Sequence, residues 1–284
     1  MERLNNITTH PDLNIANHIK DTEPDLVKEA SWADYSSAKF LLLGYIVDFA
    51  SAGNIHLIVM VQGGRSQQIL ERYFLGKGFV YTRPREAMGS GSNVEVSMVK
   101  GSLSFGIQTT QDTGILETYK RPSSLIALDA TFDAKIPSVE HIRTTYARHD
   151  NLLPVIHLLV SNSSEHIGRC LSGLLETDGL RLLIGCTLRY RGIVGDLQDD
   201  ALGVHEDAEE ILGWLLSDNP AISWPLPAIE PLKITRPDGD EFATTHGPSY
   251  LDTQNVSGTG PSVQKRPLVG IFDVDSRMVF GLAR

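Results

Sequence analysis

Three short apolar runs constrain this chain more than any other feature. They are IHLIVMV (Ile55 to Val61), SLIALD (Ser124 to Asp129) and PVIHLLV (Pro154 to Val160). Each is bounded by Gly, Asn, Asp or Pro, and each is too short and too uniformly apolar for a half-solvated strand. Such runs are the mark of strands buried on both faces, as in a parallel sheet. Helical periodicity fills the intervals. In SSAKFLLLGYIVDFASAG, Phe40, Leu43 and Val47 fall on one helical side, with Gly53 as a stop. SQQILERYFLGKGF places Ile69, Leu70, Tyr73 and Phe74 together, and Gly76 and Gly78 end it. SVEHIRTTYARHD (Ser138 to Asp150) predicts a helix behind Pro137 with Val139, Ile142 and Tyr146 inward. VEVSMV (Val94 to Val99) and LSFGI (Leu103 to Ile107) read as further strands. The alternation specifies an α/β fold with a mostly parallel sheet.

The sequence divides by pattern into four parts. Residues 1–35 are polar with scattered Leu and read as a brace; 36–171 carry the α/β lobe. Residues 164–192 look helical, and residues 172–235 form a helical extension, in which HEDAEEILGWLL sets Ala208, Ile211, Leu212 and Leu215 on one face. Residues 236–284, rich in Pro, Gly, Ser, Thr and Asp at their start, read as a loosely ordered tail. The closing LVGIFDVDSRMVFGL fits either a strand pair or an unrelated terminus.

Composition narrows the function. A net charge of -10 disfavours wrapping of nucleic acid by the whole surface, because phosphate affinity comes from Lys and Arg. No run of 18 apolar residues exists, so no membrane span is expected. Cys170 and Cys186 form no CxxC pair, so no metal is expected, and a reducing compartment suits them. GSGSNV (Gly89 to Val94) lacks the Lys-Ser/Thr of a phosphate loop and precedes a strand rather than a helix. No GxSxG and no HExxH occur. Residues 196–210 hold seven carboxylates (Asp196, Asp199, Asp200, Glu206, Asp207, Glu209, Glu210), which suit a solvated helix start. Asp129, at the carboxyl end of its strand, is placed to hold Mg²⁺ or a backbone amide, with the structural role favoured. Trp214 and Trp224 read as packing residues.

The order of the pieces carries a resemblance. The AKF helix, the strand LIVMVQ, the helix ILERYF with KGFVYTR, SLSFGIQTT, LIALDATFDAKIP and HIRTTYARHDNLLPVIHLLVSNSSEHI resemble successive motifs of the second RecA-like lobe of Swi/Snf-type helicase-like ATPases. THPDL is similar to the His-Pro turn that precedes that lobe. In active relatives the sixth motif supplies a Gln and two Arg that stabilise charge on the γ-phosphate. Here those positions fall on His141, Thr145 and Arg148, and SMVKGS replaces the Ser-Thr-Arg stretch before the fifth motif. No Walker A or acidic Walker B pattern occurs, so ATPase activity is expected to be absent.

With the later LRYRGIVGDLQDDALGVHEDAEEILGWL...WPLP, the whole resembles subunits 2 and 3 of the fungal class II histone deacetylase complex. That resemblance implies a RecA-like helicase C-terminal lobe with a helical extension, no enzymatic activity and no cofactor. It implies a nuclear scaffold in chromatin silencing. Its partners would be the class II histone deacetylase catalytic subunit and a paralogous helicase-like subunit as a heterodimer, with DNA or nucleosomes as a further one. Loops that face phosphates in active relatives hold Arg65, Arg83, Arg85 and Lys100 here, so these are the candidate DNA contacts. Family members usually carry a first lobe upstream and a long coiled coil downstream, and neither pattern occurs in these 284 residues. The alternative is a fragment of an ATP-dependent chromatin remodeller or helicase that retains nucleotide binding. Intact arginines and a P-loop would mark it.

Overall fold

The structure is a computed structural model. It describes residues 1–15, 25–51, 53–84, 103–112, 120–147, 151–171, 176–195, 203–216, 229, 234–235, 241–242 and 267–271, the last three stretches and 176–178 by backbone alone. The apolar runs form the expected strands. β1 (His56–Val61), β2 (Tyr81–Thr82), β3 (Ser104–Thr109), β4 (Ser124–Ala127) and β5 (Val155–Val160) lie in the order β2-β3-β1-β4-β5, all parallel. Register follows from β1 at the centre, with Val59 opposite Ile107 on one side and Ile126 on the other. Every residue of β1, β4 and β5 is buried, which is why those runs are continuously apolar rather than alternating. The α/β reading with a mostly parallel sheet is borne out.

Eight α-helices are described: α1 (Glu2–Thr9), α2 (Leu26–Ser36), α3 (Ala38–Ala50), α4 (Arg65–Gly76), α5 (Pro137–Thr145), α6 (Ser164–Cys170), α7 (Glu176–Tyr190) and α8 (Val204–Leu216). On one face of the sheet, Leu57, Val59, Val61, Phe105, Ile107, Ile126 and Ile156 meet Phe40, Leu43 and Val47 of α3. Leu70 and Phe74 of α4 and Ala208, Ile211, Trp214 and Leu215 of α8 complete that core. On the other face, Ile58, Met60, Leu125, Ala127 and Val155 pack on Val139 and Ile142 of α5. Full burial of each large side chain contributes roughly 1.5–3 kcal/mol, so these two layers carry most of the driving force. Trp214 is therefore a packing residue, and Trp224 lies outside the described residues.

Two contacts fix the helix layer. α2 and α4 cross so closely that a Cβ on Gly76 would stand 2.0 Å from the Leu26 carbonyl oxygen, so only glycine fits. Tyr73 of α4 donates its hydroxyl to Asp34 Oδ1 of α2 at 2.8 Å.

The elements differ from the sequence reading at four places. α5 ends at Thr145 rather than 150, with the backbone N–H of Tyr146 turning back to the carbonyls of Ile142 and Thr144. The helical stretch expected over 164–192 is two helices, α6 and α7. Residues 234–235 and 241–242 form a small antiparallel ladder of two strands, β6 (Ile234–Thr235) and β7 (Glu241–Phe242). Pro267–Ile271, inside the stretch read as a tail, is a strand, β8, paired antiparallel with β5. The physical reason is the outer edge of β5, whose N–H and C=O groups need partners. The strand expected at 94–99 lies outside the described residues, as does GSGSNV.

Candidate docking site at the carboxyl end of the sheet

β1 and β4 are neighbours, and the chain winds outward from them in opposite directions. The crevice beyond their carboxyl ends is where open parallel sheets bind ligands. Here it is about 360 Å³ and lined by Glu2, Asn5, Thr9, Gln62, Ser66, Asp129 and Thr131, among others. Half of that lining comes from the first residues of the chain, not from the sheet.

The N-terminal segment is tied down by polar bonds. Ser37, the N-cap of α3, accepts from the Phe40 N–H and donates its hydroxyl to the Thr9 carbonyl at 2.6 Å. Ser164 at the start of α6 donates to Asn5 Oδ1 at 2.5 Å. THPDL forms a turn of 3-10 helix (Pro11–Asn14) capped by His10, whose Nδ1 accepts from the Asp12 N–H at 3.2 Å. The His10 ring stands edge-on to Phe40, with centroids 5.4 Å apart. Arg65, at the start of α4, donates to the Ile15 carbonyl and so holds the far end of this turn.

The charges behind the crevice are already engaged. Asp129 Oδ2 accepts from the Gln62 N–H at 2.6 Å, and Oδ1 accepts from Thr131 N–H at 3.0 Å and its hydroxyl at 2.5 Å. The carboxylate thus ties the end of β1 to that of β4, the structural role favoured from sequence. Lys39 of α3 donates to the Leu128 carbonyl at 2.8 Å and to Glu165 Oε2 of α6 at 2.6 Å, and neither side chain reaches solvent. Sequence reasoning missed this pair. Its signal was available: Lys39 shares the apolar face of its helix with Leu43 and Val47, where an unpaired ammonium is not tolerated.

The other candidate positions scatter. Arg83 is exposed and pairs with Glu71 Oε1 at 2.8 Å. His141 and Thr145 share an exposed side of α5, with Nε2 and Oγ1 3.3 Å apart. Arg143, between them, is buried and donates through Nε to the Leu153 carbonyl at 3.0 Å. Arg85, Lys100 and Arg148 lie outside the described residues. Cys186 is buried and Cys170 half-buried; burial pushes the Cys170 thiol up to about 11 and raises that of Cys186, so neither favours the reactive thiolate. Among the described residues no group of three or more His, Cys, Asp or Glu is arranged to hold a metal ion. No described helix is long and apolar enough to cross a membrane.

Fold and site together define a parallel α/β domain whose strand-end crevice is roofed by its own N-terminal helix and His-Pro turn. A sequence profile of class II histone deacetylase complex subunits 2 and 3 matches residues 1–215, and the chain belongs to that family. It is 23% identical over 208 residues to HDA1 complex subunit 3 of Eremothecium gossypii, which covers 70% of this chain and 32% of that protein. It is 22% identical over 241 residues to HDA1 complex subunit 3 of Saccharomyces cerevisiae, covering 80% and 35% respectively. The chain therefore spans about a third of the length of these curated relatives. A solved structure from structural and functional studies of the yeast class II Hda1 HDAC complex superposes with a TM-score of 0.62. The two share 20% identity, covering 81% of this chain and 77% of that one, and the likeness speaks to the fold.

Proposed function

We propose that the chain is a non-catalytic scaffold subunit of a class II histone deacetylase complex, acting in the nucleus in chromatin silencing. In this reading it holds the deacetylase catalytic subunit and pairs with a paralogous subunit of helicase-like descent. The observation that carries it is the family match over residues 1–215, joined to a crevice lined in part by α1, whose Asp129 carboxylate is taken up by the Gln62 N–H and by Thr131. A nucleotide site needs donors left free to take phosphates. Here Arg65 is bound to Ile15, and the Asp129 carboxylate lines the crevice and repels anions. DNA docking is the secondary part of the reading and rests on the resemblance. Arg65 and Arg83 would have to leave the Ile15 carbonyl and Glu71 to contact phosphates.

The test is purification of the tagged chain from its source cells with mass spectrometry, beside titration of the pure chain with a fluorescent ATP analogue. Recovery of a class II deacetylase together with a second helicase-like subunit, and no saturable ATP signal, is the expected result. Saturable ATP binding without a deacetylase would overturn the reading in favour of a remodeller fragment.

A further inference from the structure

α7 carries apolar residues on two of its sides. Leu182 and Cys186 face inward and are buried. On the other side Leu180, Ile184 and Leu188 recur every fourth residue and are 52%, 45% and 60% exposed. Residues at this spacing line up along one side of a helix. Ile193, in the turn after the helix, is 44% exposed. Among the described side chains, Arg181 stands beside the stripe and Arg191 follows the helix in the turn that carries Ile193, both exposed and neither in a described ion pair. Their sign runs against that of the chain, whose net charge is -10.

An apolar stripe of three residues edged with arginines fits a second helix laid along it, the mode in which i, i+4 and i+8 side chains anchor an amphipathic partner. Charge selects among the occupants. A second copy of this chain, docked face to face on α7, would bring arginines against arginines, which is unfavourable. A helix whose apolar stripe is edged with Asp or Glu pairs with them.

We propose that the outer face of α7 is a docking site for an acidic amphipathic helix of a partner protein, anchored on Leu180, Ile184 and Leu188 and oriented by Arg181 and Arg191. The proposal rests on the reading of the chain as a subunit of an assembly. It goes further by naming the surface and the chemistry of what binds there.

The probe is a fluorescein-labelled helical peptide with leucines at i, i+4 and i+8 and glutamates beside them, titrated by anisotropy against the full chain. A second peptide has lysines in place of the glutamates. Saturable binding of the glutamate peptide, weakened about tenfold or more by Ile184→Glu, is expected. Arg181→Glu with Arg191→Glu should reverse the preference in favour of the lysine peptide, a gain that damage to the fold cannot produce. Equal binding of the two peptides, or an Ile184→Glu chain that binds as well as the parent, overturns the proposal. So does a dimer in sedimentation equilibrium that Ile184→Glu abolishes, which would assign the face to a second copy. If the tagged parent chain recovers a deacetylase while the peptides are not discriminated, the docking proposal alone fails. If the peptides are discriminated and no deacetylase is recovered, the docking site stands and the subunit reading fails.

Discussion

The ammonium of Lys39 lies 2.6 Å from a carboxylate oxygen of Glu165, at the meeting point of α3, α6 and the end of β4, with both side chains closed off from water. Removing one member leaves an uncompensated buried charge, which costs about 3–5 kcal/mol. Glu165→Leu or Lys39→Met alone should therefore lower the urea midpoint severely. The double variant should recover much of the loss, because two apolar side chains carry no such penalty. Equal destabilisation by the double variant and the sum of the single ones would show that the two residues act independently.

The amino end of the same sheet gives the molecule an acid limit. Burial, aided by the Lys120 charge, holds the His56 imidazole there down to about 4 from its ordinary 6.5; His157, level with the last residue of β4, is also held well below the usual range by burial. A histidine whose folded pKa is depressed favours the native state while neutral. Its contribution is complete above pH 6.5 and is lost as the pH falls toward 4. For His56 that loss is on the order of 3 kcal/mol. Urea unfolding of the parent and of His56→Gln across this window should show the parent falling more steeply. Parallel curves would mean that His56 does not titrate with unfolding.

Ser37 performs two tasks at once, capping α3 and holding the carbonyl of Thr9. Ser37→Ala should lower global stability by about 1 kcal/mol, as for other lost caps. It should also raise amide exchange in residues 2–10 far more than in β1 or β4. Exchange that rises evenly over the whole domain would argue that α1 unfolds only with the rest.

The strands were legible because burial on both faces writes itself as an uninterrupted apolar run, and β1, β4 and β5 carry one each. α3, α4 and α8 were legible for the same reason in helical period. β3 was read short, since its last two residues, Gln108 and Thr109, are polar yet buried. α2 left no apolar period, for Val27, Trp32 and Tyr35 face outward and it buries mainly Ala30 and Ala33. The roof over the crevice was invisible as geometry. It is held by hydroxyl, amide and carbonyl groups of Ser37, Thr9, Ser164 and Asn5, and such groups have no periodicity to read. Its His-Pro turn entered only through family resemblance. Arg65 was singled out as a loop cation, and no local signal joined it to Ile15.

The pairing of β8 with β5 bears on how this protein can be cut and handled. A version ending at the composition shift near residue 235 would look like a tidy domain, yet it would lose the strand at Pro267–Ile271. The outer rim of β5 would then offer a ladder of unmatched amides and carbonyls to any passing chain. Such a fragment would be prone to stack into insoluble ribbons, and its poor behaviour would reflect the missing strand rather than a weak core.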